Sequence, residues 1–223
     1  MTTAPTTVPD DLTPGDTTPD GDLRPSGFFH SRRWLFGEML VGALISLFAA
    51  FVLSTEAVNL ARDPAASLAC DFSAIFSCST VALSWQASLF GFPNAFLGLA
   101  AEPVVITVAV LGLAGTRFPK WFMIAAQTIY LFGFVFAYWL FFEAVFTIHA
   151  LCVWCLTVQL ATTVVFFSML HLNILENNLH WPPRVQRVAM SVVRSGGLGF
   201  LLAAWLIATV AIVLLKYGGS LLG

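Results

Sequence analysis

Residues 150–170 read A-L-C-V-W-C-L-T-V-Q-L-A-T-T-V-V-F-F-S-M-L, a run without a charged side chain. A helix needs about 20 predominantly apolar residues to cross a hydrocarbon core of about 30 Å, so this run is long enough to cross a membrane. Cys152 and Cys155 stand near its start. The stretch therefore predicts a transmembrane helix that carries a thiol pair close to its amino end.

The rest of the chain has the same apolar character. Of the 223 residues, 58% are hydrophobic and only 10% are charged, whereas globular domains average about 25% charged. Four more apolar runs are long enough to span a membrane, at residues 34–53, 95–114, 121–142 and 197–215. Backbone groups in lipid must be bonded within their own segment, and the alternation typical of a membrane β-barrel is absent. We expect an all-α integral membrane protein with five transmembrane helices.

Composition divides the chain into three parts. Residues 1–30 are rich in Thr, Pro, Asp and Gly, which predicts a disordered cytoplasmic tail. This tail lacks the basic start and apolar middle of a signal peptide. Residues 31–175 form the predicted core of four helices, which includes a long loop over residues 54–93. Residues 176–223 contain a cytoplasmic loop and the fifth span.

The basic residues are unevenly distributed between the two sides of the predicted spans. Eight of the ten lie on the side of the amino terminus: Arg24, Arg32, Arg33, Arg117, Lys120, Arg184, Arg187 and Arg194. Arg62 and Lys216 lie on the other side. The positive-inside rule therefore predicts a cytoplasmic amino terminus and an extracytoplasmic carboxyl terminus. All four cysteines then lie on, or just below, the extracytoplasmic surface.

Cys152 and Cys155 are one helical turn apart and share a helix face. A structural bridge between them would close almost no chain, and the stabilisation from a crosslink grows with loop length. The positive end of a helix dipole also lowers the pKa of a thiol in the first turn. We interpret this pair as redox-active rather than as two small buried side chains.

Cys70 and Cys78 lie in the predicted extracytoplasmic loop, where disulfides persist. Taken alone, their spacing favours an ordinary bridge that staples the loop. Two cysteine pairs on one side of a membrane, however, can exchange through a mixed disulfide. Together the pairs predict a dithiol relay. A carrier of soft metal ions and a structural protein with two inert bridges stay open as alternatives, although the carrier also requires cytoplasmic thiols.

A thiol oxidase needs an electron sink, and a membrane quinone is the available one. The sequence has no Rossmann glycine motif, haem motif or iron–sulfur spacing, and we predict no metal. Asn94 is the polar side chain best placed to bond a quinone, with capping of its helix as the simpler role. Glu102 is predicted to be a neutral, hydrogen-bonded carboxyl between helices, with a proton path as the alternative. His149 is interpreted as an interfacial turn residue that could also assist proton release.

The order of these motifs resembles a known family. Cys70-Asp71, Ser77-Cys78-Ser79 and C-V-W-C at residues 152–155 are similar to the bacterial branch of the vitamin K epoxide reductase family. Between them, S-W-Q-A-S-L-F-G-F-P-N-A-F-L-G at residues 84–98 also matches that branch. T-E-A-V-N-L-A-R-D-P at residues 55–64 is similar to its actinobacterial members. The resemblance covers approximately residues 34–170.

This resemblance implies a four-helix bundle around a quinone, with any fifth helix packed outside it. It implies a multi-pass protein of the bacterial inner membrane that oxidises separate thioredoxin-fold partner proteins and reduces a quinone, menaquinone by the actinobacterial likeness. Carried over by position, Cys78 exchanges with the partner and Cys70 passes electrons to Cys152. Cys155 reduces the quinone, and Asn94 hydrogen-bonds a quinone carbonyl.

Two positions depart from the pattern of the family. Val153 stands where the bacterial motif often has Pro, and Gln159 stands where animal enzymes place a Tyr near the quinone. The first departure bears on redox poise, and the second leaves one contact to the quinone head group unassigned. Reduction of a vitamin K epoxide by thiols would use the same cysteines, so it remains an alternative direction for this chemistry.

Overall fold

The five predicted spans are helices in a computed structural model of the protein, which describes residues 30–73 and 75–221. In chain order the helices are α1 (Arg32–Arg62), α2 (Cys78–Ala82), α3 (Ala95–Leu113), α4 (Lys120–Phe142), α5 (Val153–Leu175), α6 (Pro183–Arg194) and α7 (Gly197–Leu221). Of these, α1, α3, α4 continued by a π-helical turn, α5 and α7 are long and apolar enough to cross a membrane. The all-α class with five spans is confirmed, and no strand is assigned within the described part of the chain. The predicted disordered tail lies, up to residue 29, outside the described residues.

The first helix is longer than predicted. It continues past residue 53 to Arg62, because residues 54–63 contain neither Gly nor Pro. The amide of Asp63 then closes the helix on the carbonyl of Asn59 at 3.0 Å. The predicted span ended at residue 53 because the polar side chains of Thr55 and Glu56 lower the hydropathy of the sequence there. The start of the predicted loop 54–93 is therefore helical.

Helix α1 is the centre of the bundle, packing against both α3 and α5, while α4 packs on α5. Glycines at the helix crossings, among them Gly42 and Gly98, allow the close approach of α1 to its neighbours. A Cβ atom on Gly42 would lie 2.7 Å from Cγ2 of Val165, and one on Gly98 would lie 2.8 Å from Cβ of Ala50. Real Cβ atoms do not come this near to a neighbour, so larger residues at these crossings would separate the helices.

One end of the bundle, which we call the basic end, is where α1 starts and α5 finishes. The Arg32 side chain pairs with Glu176 at 2.8 Å and donates to the carbonyl of Thr116 at 3.1 Å. These contacts bring the start of α1, the end of α3 and the end of α5 together. A core drawn from α1, α3, α4 and α5 packs beside them and includes Leu35, Phe36, Met39, Val108, Met123, Val165 and Leu172. The opposite end carries the cysteines, and we call it the cysteine end.

Helix α7 lies outside the four other spans, against α5 and α6, with most of its side chains exposed. The Trp205 ring packs edge-on against Tyr138 with 5.6 Å between the ring centroids. At the cysteine end, the Tyr217 hydroxyl donates to the carbonyl of Val145 at 3.1 Å. The fifth span is therefore peripheral, and it contacts the bundle of the other four through Trp205 and Tyr217.

Glu102 joins three of the helices within the bundle. The Ser46 hydroxyl donates to Oε1 of Glu102 at 2.7 Å, and the Tyr130 hydroxyl lies 3.4 Å from the same oxygen. Oε2 of Glu102 is buried without a hydrogen-bond partner. A hydrogen-bonded carboxyl between helices is confirmed, whereas its neutral state and the alternative of a proton path stay predictions.

Candidate active site

The predicted loop pair is joined: Cys70 and Cys78 form a disulfide, with their Cα atoms 5.7 Å apart. Both residues are buried, at 3% and 1% exposure. Cys152, itself 2% exposed, belongs to the same buried cluster, around which Leu53, Leu68, Val81 and Trp154 pack. Three of the four predicted cysteines are thus brought together at the cysteine end, from a loop and from the start of α5.

A short backbone bridge holds the loop beside α5. The amide of Leu151 donates to the carbonyl of Ile75 at 2.7 Å, and the amide of Ser77 donates to the carbonyl of Leu151 at 3.0 Å. Leu151 immediately precedes Cys152, and Ser77 immediately precedes Cys78. The bridge therefore sets the register between the two cysteine pairs. Sequence reasoning missed it, because a single bridge has no periodic pattern.

Asp71 organises the loop around the disulfide. Its carboxylate accepts hydrogen bonds from the amide of Ser79 at 3.0 Å, the amide of Leu68 at 2.9 Å and the hydroxyl of Ser77 at 3.2 Å. Burial raises the pKa of Asp71, but these hydrogen bonds outweigh it and lower the pKa below its ordinary value of 3.8. The ionised carboxylate thus stabilises the turn that joins Cys70 to Cys78.

Replacing Asp71 with alanine is expected to loosen this turn. The amides of Ser79 and Leu68 lose their acceptor, so their hydrogen exchange should become about tenfold faster at neutral pH. Because the folded pKa is depressed, the stabilisation is present above the ordinary value and is lost as the pH falls through the folded pKa, below about 3.8. Exchange resolved by mass spectrometry measures both effects.

Asp63→Ala is the matched control, since the Asp63 carboxylate accepts from the nearby amide of Ala65 at 3.0 Å and not from the turn that holds the disulfide. It should leave the exchange of Ser79 and Leu68 unchanged. Unaltered exchange at those two amides in Asp71→Ala would contradict the role given to Asp71.

The second pair stands at the start of α5, as predicted. Cys152 is the N-cap of this helix, and its Sγ accepts from the amide of Cys155 at 3.4 Å. A hydrogen bond from the Cys155 thiol lowers the pKa of Cys152, and the backbone amides of Cys155 and Trp154 add to this against the opposing effect of burial. Cys152 is therefore a thiol prepared to act as a thiolate.

Cys155 differs from the other three cysteines because it is exposed. It and Cys152 are free thiols, while the loop pair is a disulfide. Gln159 lies one helical turn further along α5, and its buried Nε2 has no hydrogen-bond partner. Cys155 and Gln159 share a helix face, which places an unsatisfied donor next to the exposed thiol along α5.

Asn94 occupies the N-cap position of α3, but its side chain does not cap the helix. Its Nδ2 instead donates to the carbonyl of Gln86 at 2.6 Å, and its Oδ1 is buried without a partner. Gln86 in turn donates to Oε2 of Glu143 at 3.0 Å. The capping role considered for Asn94 is therefore wrong, because the amide is drawn to the preceding segment rather than to the first turn of α3.

The segment before Asn94 lies across the outer part of α4. It includes a 3₁₀ turn, Trp85–Ser88, and its rings pack on those of α4. Trp85 packs on Trp139 and Phe90 packs on Phe136, with ring centroids 6.2 and 5.6 Å apart. Trp85 and Phe90 are also largely exposed. Such amphipathic placement is typical of a segment lying at a membrane interface.

His149 and Glu56 are the two remaining polar side chains of note here. His149 is exposed in a left-handed conformation, with Nδ1 3.1 Å from the carbonyl of Thr147, so it is a turn residue as interpreted. Glu56 is buried, and both of its carboxyl oxygens lie 3.6 Å from Sγ of Cys70. Sequence reasoning missed Glu56 because it was placed in a loop.

Comparison with known proteins agrees with this geometry. The family model described as "Vitamin K epoxide reductase family" matches residues 38–170, which contain both cysteine pairs, Asn94 and Gln159. No curated protein matches the chain. The match covers more than half of the chain. The protein therefore belongs to the vitamin K epoxide reductase family, a family of membrane thiol–disulfide oxidoreductases that use quinones.

Proposed function

We propose that this protein is a quinone-dependent thiol oxidase of the bacterial branch of its family, which generates disulfide bonds in thioredoxin-fold partner proteins outside the cytoplasm. The observation that carries the proposal is the buried cluster of Cys152 with the Cys70–Cys78 disulfide. Thiol–disulfide exchange requires a thiolate to reach a disulfide sulfur. A thiol with a lowered pKa packed among both loop cysteines supports transfer between the pairs.

The charge distribution supports an extracytoplasmic location for this chemistry. Arg32, Arg117 and Lys120 lie at the basic end, opposite the cysteines. By the positive-inside rule, the basic end faces the cytoplasm of a bacterial inner membrane. The cysteine end then faces a compartment in which disulfides persist.

Each cysteine has a distinct role in this relay. A thiolate of the partner attacks Cys78, and Cys70 leaves. Cys70 then attacks Cys152 when Cys152 is bonded to Cys155, and Cys155 leaves as the thiolate that faces the quinone. Since Cys78 is 1% exposed, the loop has to move before a partner reaches it. Phe72, which lies within this loop and is 74% exposed, offers an apolar contact for such a partner.

The polar groups at the cysteine end fit a quinone. Oδ1 of Asn94 is a buried acceptor without a partner, and Nε2 of Gln159 is a buried donor without a partner. A buried polar group left unpaired is costly, and the carbonyl and hydroxyl groups of a quinone and quinol would satisfy both. A bound quinone, for which menaquinone is our choice, supplies an acceptor for two electrons and two protons. Gln159 would donate to a carbonyl of its head group, Asn94 would accept from a hydroxyl of the quinol, and Cys155 would supply the electron pair.

Under this assignment, the three parts of the chain have different roles. Residues 31–175 carry all four cysteines and both candidate quinone contacts, so the four-helix core holds the whole reaction. Residues 176–223 contribute the peripheral fifth helix, and residues 1–30 are a cytoplasmic tail. The partner is a separate thioredoxin-fold protein.

Two other functions make different demands on the same residues. Reduction of a vitamin K epoxide would run through the same four cysteines with a different acceptor. A soft-metal carrier would need thiols at both ends of the bundle, and all four cysteines of the chain lie at the cysteine end. That distribution disfavours the carrier.

The experiment that tests the proposal follows thiols and quinol together. The purified protein in lipid nanodiscs is fully reduced, freed of reductant and mixed with menadione. Loss of all four thiols with two quinols formed for each protein is the expected result, since each new disulfide releases two electrons. Persistence of the four thiols in the presence of menadione would overturn the proposal. Binding of Hg(II) without quinol formation would favour the carrier instead.

A further inference from the structure

We propose that Glu56 is a further catalytic residue, which donates a proton to Cys70 and takes it back during exchange between the two cysteine pairs. The inference deepens the proposed function and rests on it. Both carboxyl oxygens of Glu56 lie 3.6 Å from Sγ of Cys70. The side chain is 9% exposed, so water does not compete freely for this contact.

The position of Glu56 follows from the unpredicted extension of α1. The two helical turns before Arg62 carry Glu56 to the cysteine end, where it faces the loop. A carboxyl oxygen of Glu56 and the sulfur atoms of Cys70 and Cys78 all lie within 4.8 Å of one another. Cys152 packs in the same buried cluster as Cys70 and Cys78. Glu56 is therefore placed where the two pairs meet.

The contact makes chemical sense when the carboxyl group carries a proton. A sulfur atom in a disulfide has no hydrogen to donate, so an ionised carboxylate beside it would face only sulfur lone pairs. The nearby Asp71 carboxylate adds a further negative charge. A carboxylic acid can instead direct its O–H at the sulfur of Cys70. When the loop disulfide is formed, Glu56 is thus a proton donor next to the sulfur of Cys70. This sulfur is the leaving group when a partner attacks Cys78.

Opening of the loop disulfide uses this proton. A thiolate of the partner forms a bond to Cys78, and the Cys70–Cys78 bond breaks with its electron pair on Cys70. Glu56 transfers its proton to the Cys70 thiolate and becomes a carboxylate. The second partner thiolate then attacks the mixed disulfide, so that the partner leaves oxidised and Cys78 remains as a thiolate. Protonation of Cys70 slows the reverse attack.

Transfer to the second pair returns the proton. The Glu56 carboxylate removes the proton from Cys70 as its sulfur forms a bond to Cys152, and the Cys152–Cys155 bond breaks with its electron pair on Cys155. The Cys78 thiolate then attacks Cys70, which re-forms the loop disulfide and releases Cys152 as a thiolate. Two electrons have moved from the partner to Cys152 and Cys155, and Glu56 is again a carboxylic acid.

Glu56→Gln tests this role without any quinone. Glutamine preserves the size of the side chain but has no proton to give to a leaving thiolate. Reduction of the Cys70–Cys78 disulfide by dithiothreitol, followed by mass spectrometry of the alkylated loop, should slow about 100-fold, at the low end of what general acid catalysis contributes. Glu56→Asp should recover part of the rate.

A second measurement separates proton transfer from a structural role. In a Cys78→Ser background, Cys70 is a free thiol, and its alkylation by iodoacetamide can be followed against pH at peptide resolution. A carboxylate beside it opposes thiolate formation, so Glu56→Gln should move the midpoint of alkylation to lower pH. Asp71, Cys152 and Cys155 also act on this cluster and are present in both proteins.

The two measurements together decide the inference. Glu38→Gln is the matched control, since it makes the same change on α1 at the basic end, where Glu38 accepts from the Ser168 hydroxyl at 2.8 Å. It should alter neither result. An unchanged rate, or a slowed rate with an unmoved midpoint, would overturn the role of Glu56. Failure of the unsubstituted protein to reduce menadione would instead contradict the proposed function alone, because neither measurement uses quinone.

Discussion

Cys155→Ala is expected to stop quinone reduction almost completely, with a loss of at least about 1,000-fold, as befits removal of a reacting nucleophile. Cys155 is the exposed cysteine, whereas Cys70, Cys78 and Cys152 are buried together. Without it, Cys152 cannot form the disulfide that Cys70 attacks. The measurement is the rate of menadione reduction driven by dithiothreitol with the protein in nanodiscs.

The same variant should keep its fold and its loop disulfide. Cys70 and Cys78 are bonded to each other and do not depend on the Cys155 sulfur. Val153→Ala is the matched control, because Val153 is also partly exposed in the first turn of α5. Its quinone reduction should stay within about threefold of the original rate, which is under 1 kcal/mol. More than a tenth of the activity left in Cys155→Ala would show that another group reduces the quinone.

Cys78→Ala is expected to abolish exchange with a partner while the membrane bundle stays folded. The partner thiolate then has no loop disulfide to attack, so oxidation of reduced thioredoxin, used as a model partner, should fall at least about 1,000-fold. The core at the basic end, which includes Leu35, Phe36 and Val165, is remote from the loop. Thermal unfolding followed by circular dichroism should therefore change little.

Cys70→Ala is the informative companion to this variant. Cys78 keeps its thiol but loses its bonded neighbour. After mild oxidation it should therefore hold a thioredoxin whose second active-site cysteine is replaced by serine, as a mixed disulfide that gel electrophoresis without reductant detects. The opposite pattern, with thioredoxin trapped by Cys78→Ala and not by Cys70→Ala, would exchange the roles of the two loop cysteines.

The five spans could be predicted because hydrocarbon thickness sets a length that the sequence must meet. Each predicted run coincides with a helix to within a few residues at most ends. The largest exception is α1, whose last turns include the polar residues Glu56 and Asn59 and continue beyond the apolar run to Arg62. Hydropathy reports where a helix meets lipid, whereas the helix itself ends where its backbone bonding ends. Glu56 was overlooked for that reason.

The cysteine pairs could also be predicted, because their spacing and side of the membrane are readable in the chain. Their mutual contact could not, since it depends on one backbone bridge between Phe76 and Leu151. The hydrogen bond that draws Asn94 to the carbonyl of Gln86 is a tertiary detail of the same kind. The local pattern offered a helix cap as the simpler role of Asn94, whereas in the structure its amide bonds the preceding segment instead.

Transfer between the two cysteine pairs is tested most directly with the double variant Cys78→Ala/Cys155→Ala, which leaves Cys70 and Cys152 as the only cysteines. After mild oxidation of the protein in nanodiscs, digestion and mass spectrometry should find the peptides of Cys70 and Cys152 joined by a disulfide in most molecules. Two free thiols that remain separately alkylated, or that are labelled from opposite faces of the bilayer, would contradict a relay between the two pairs.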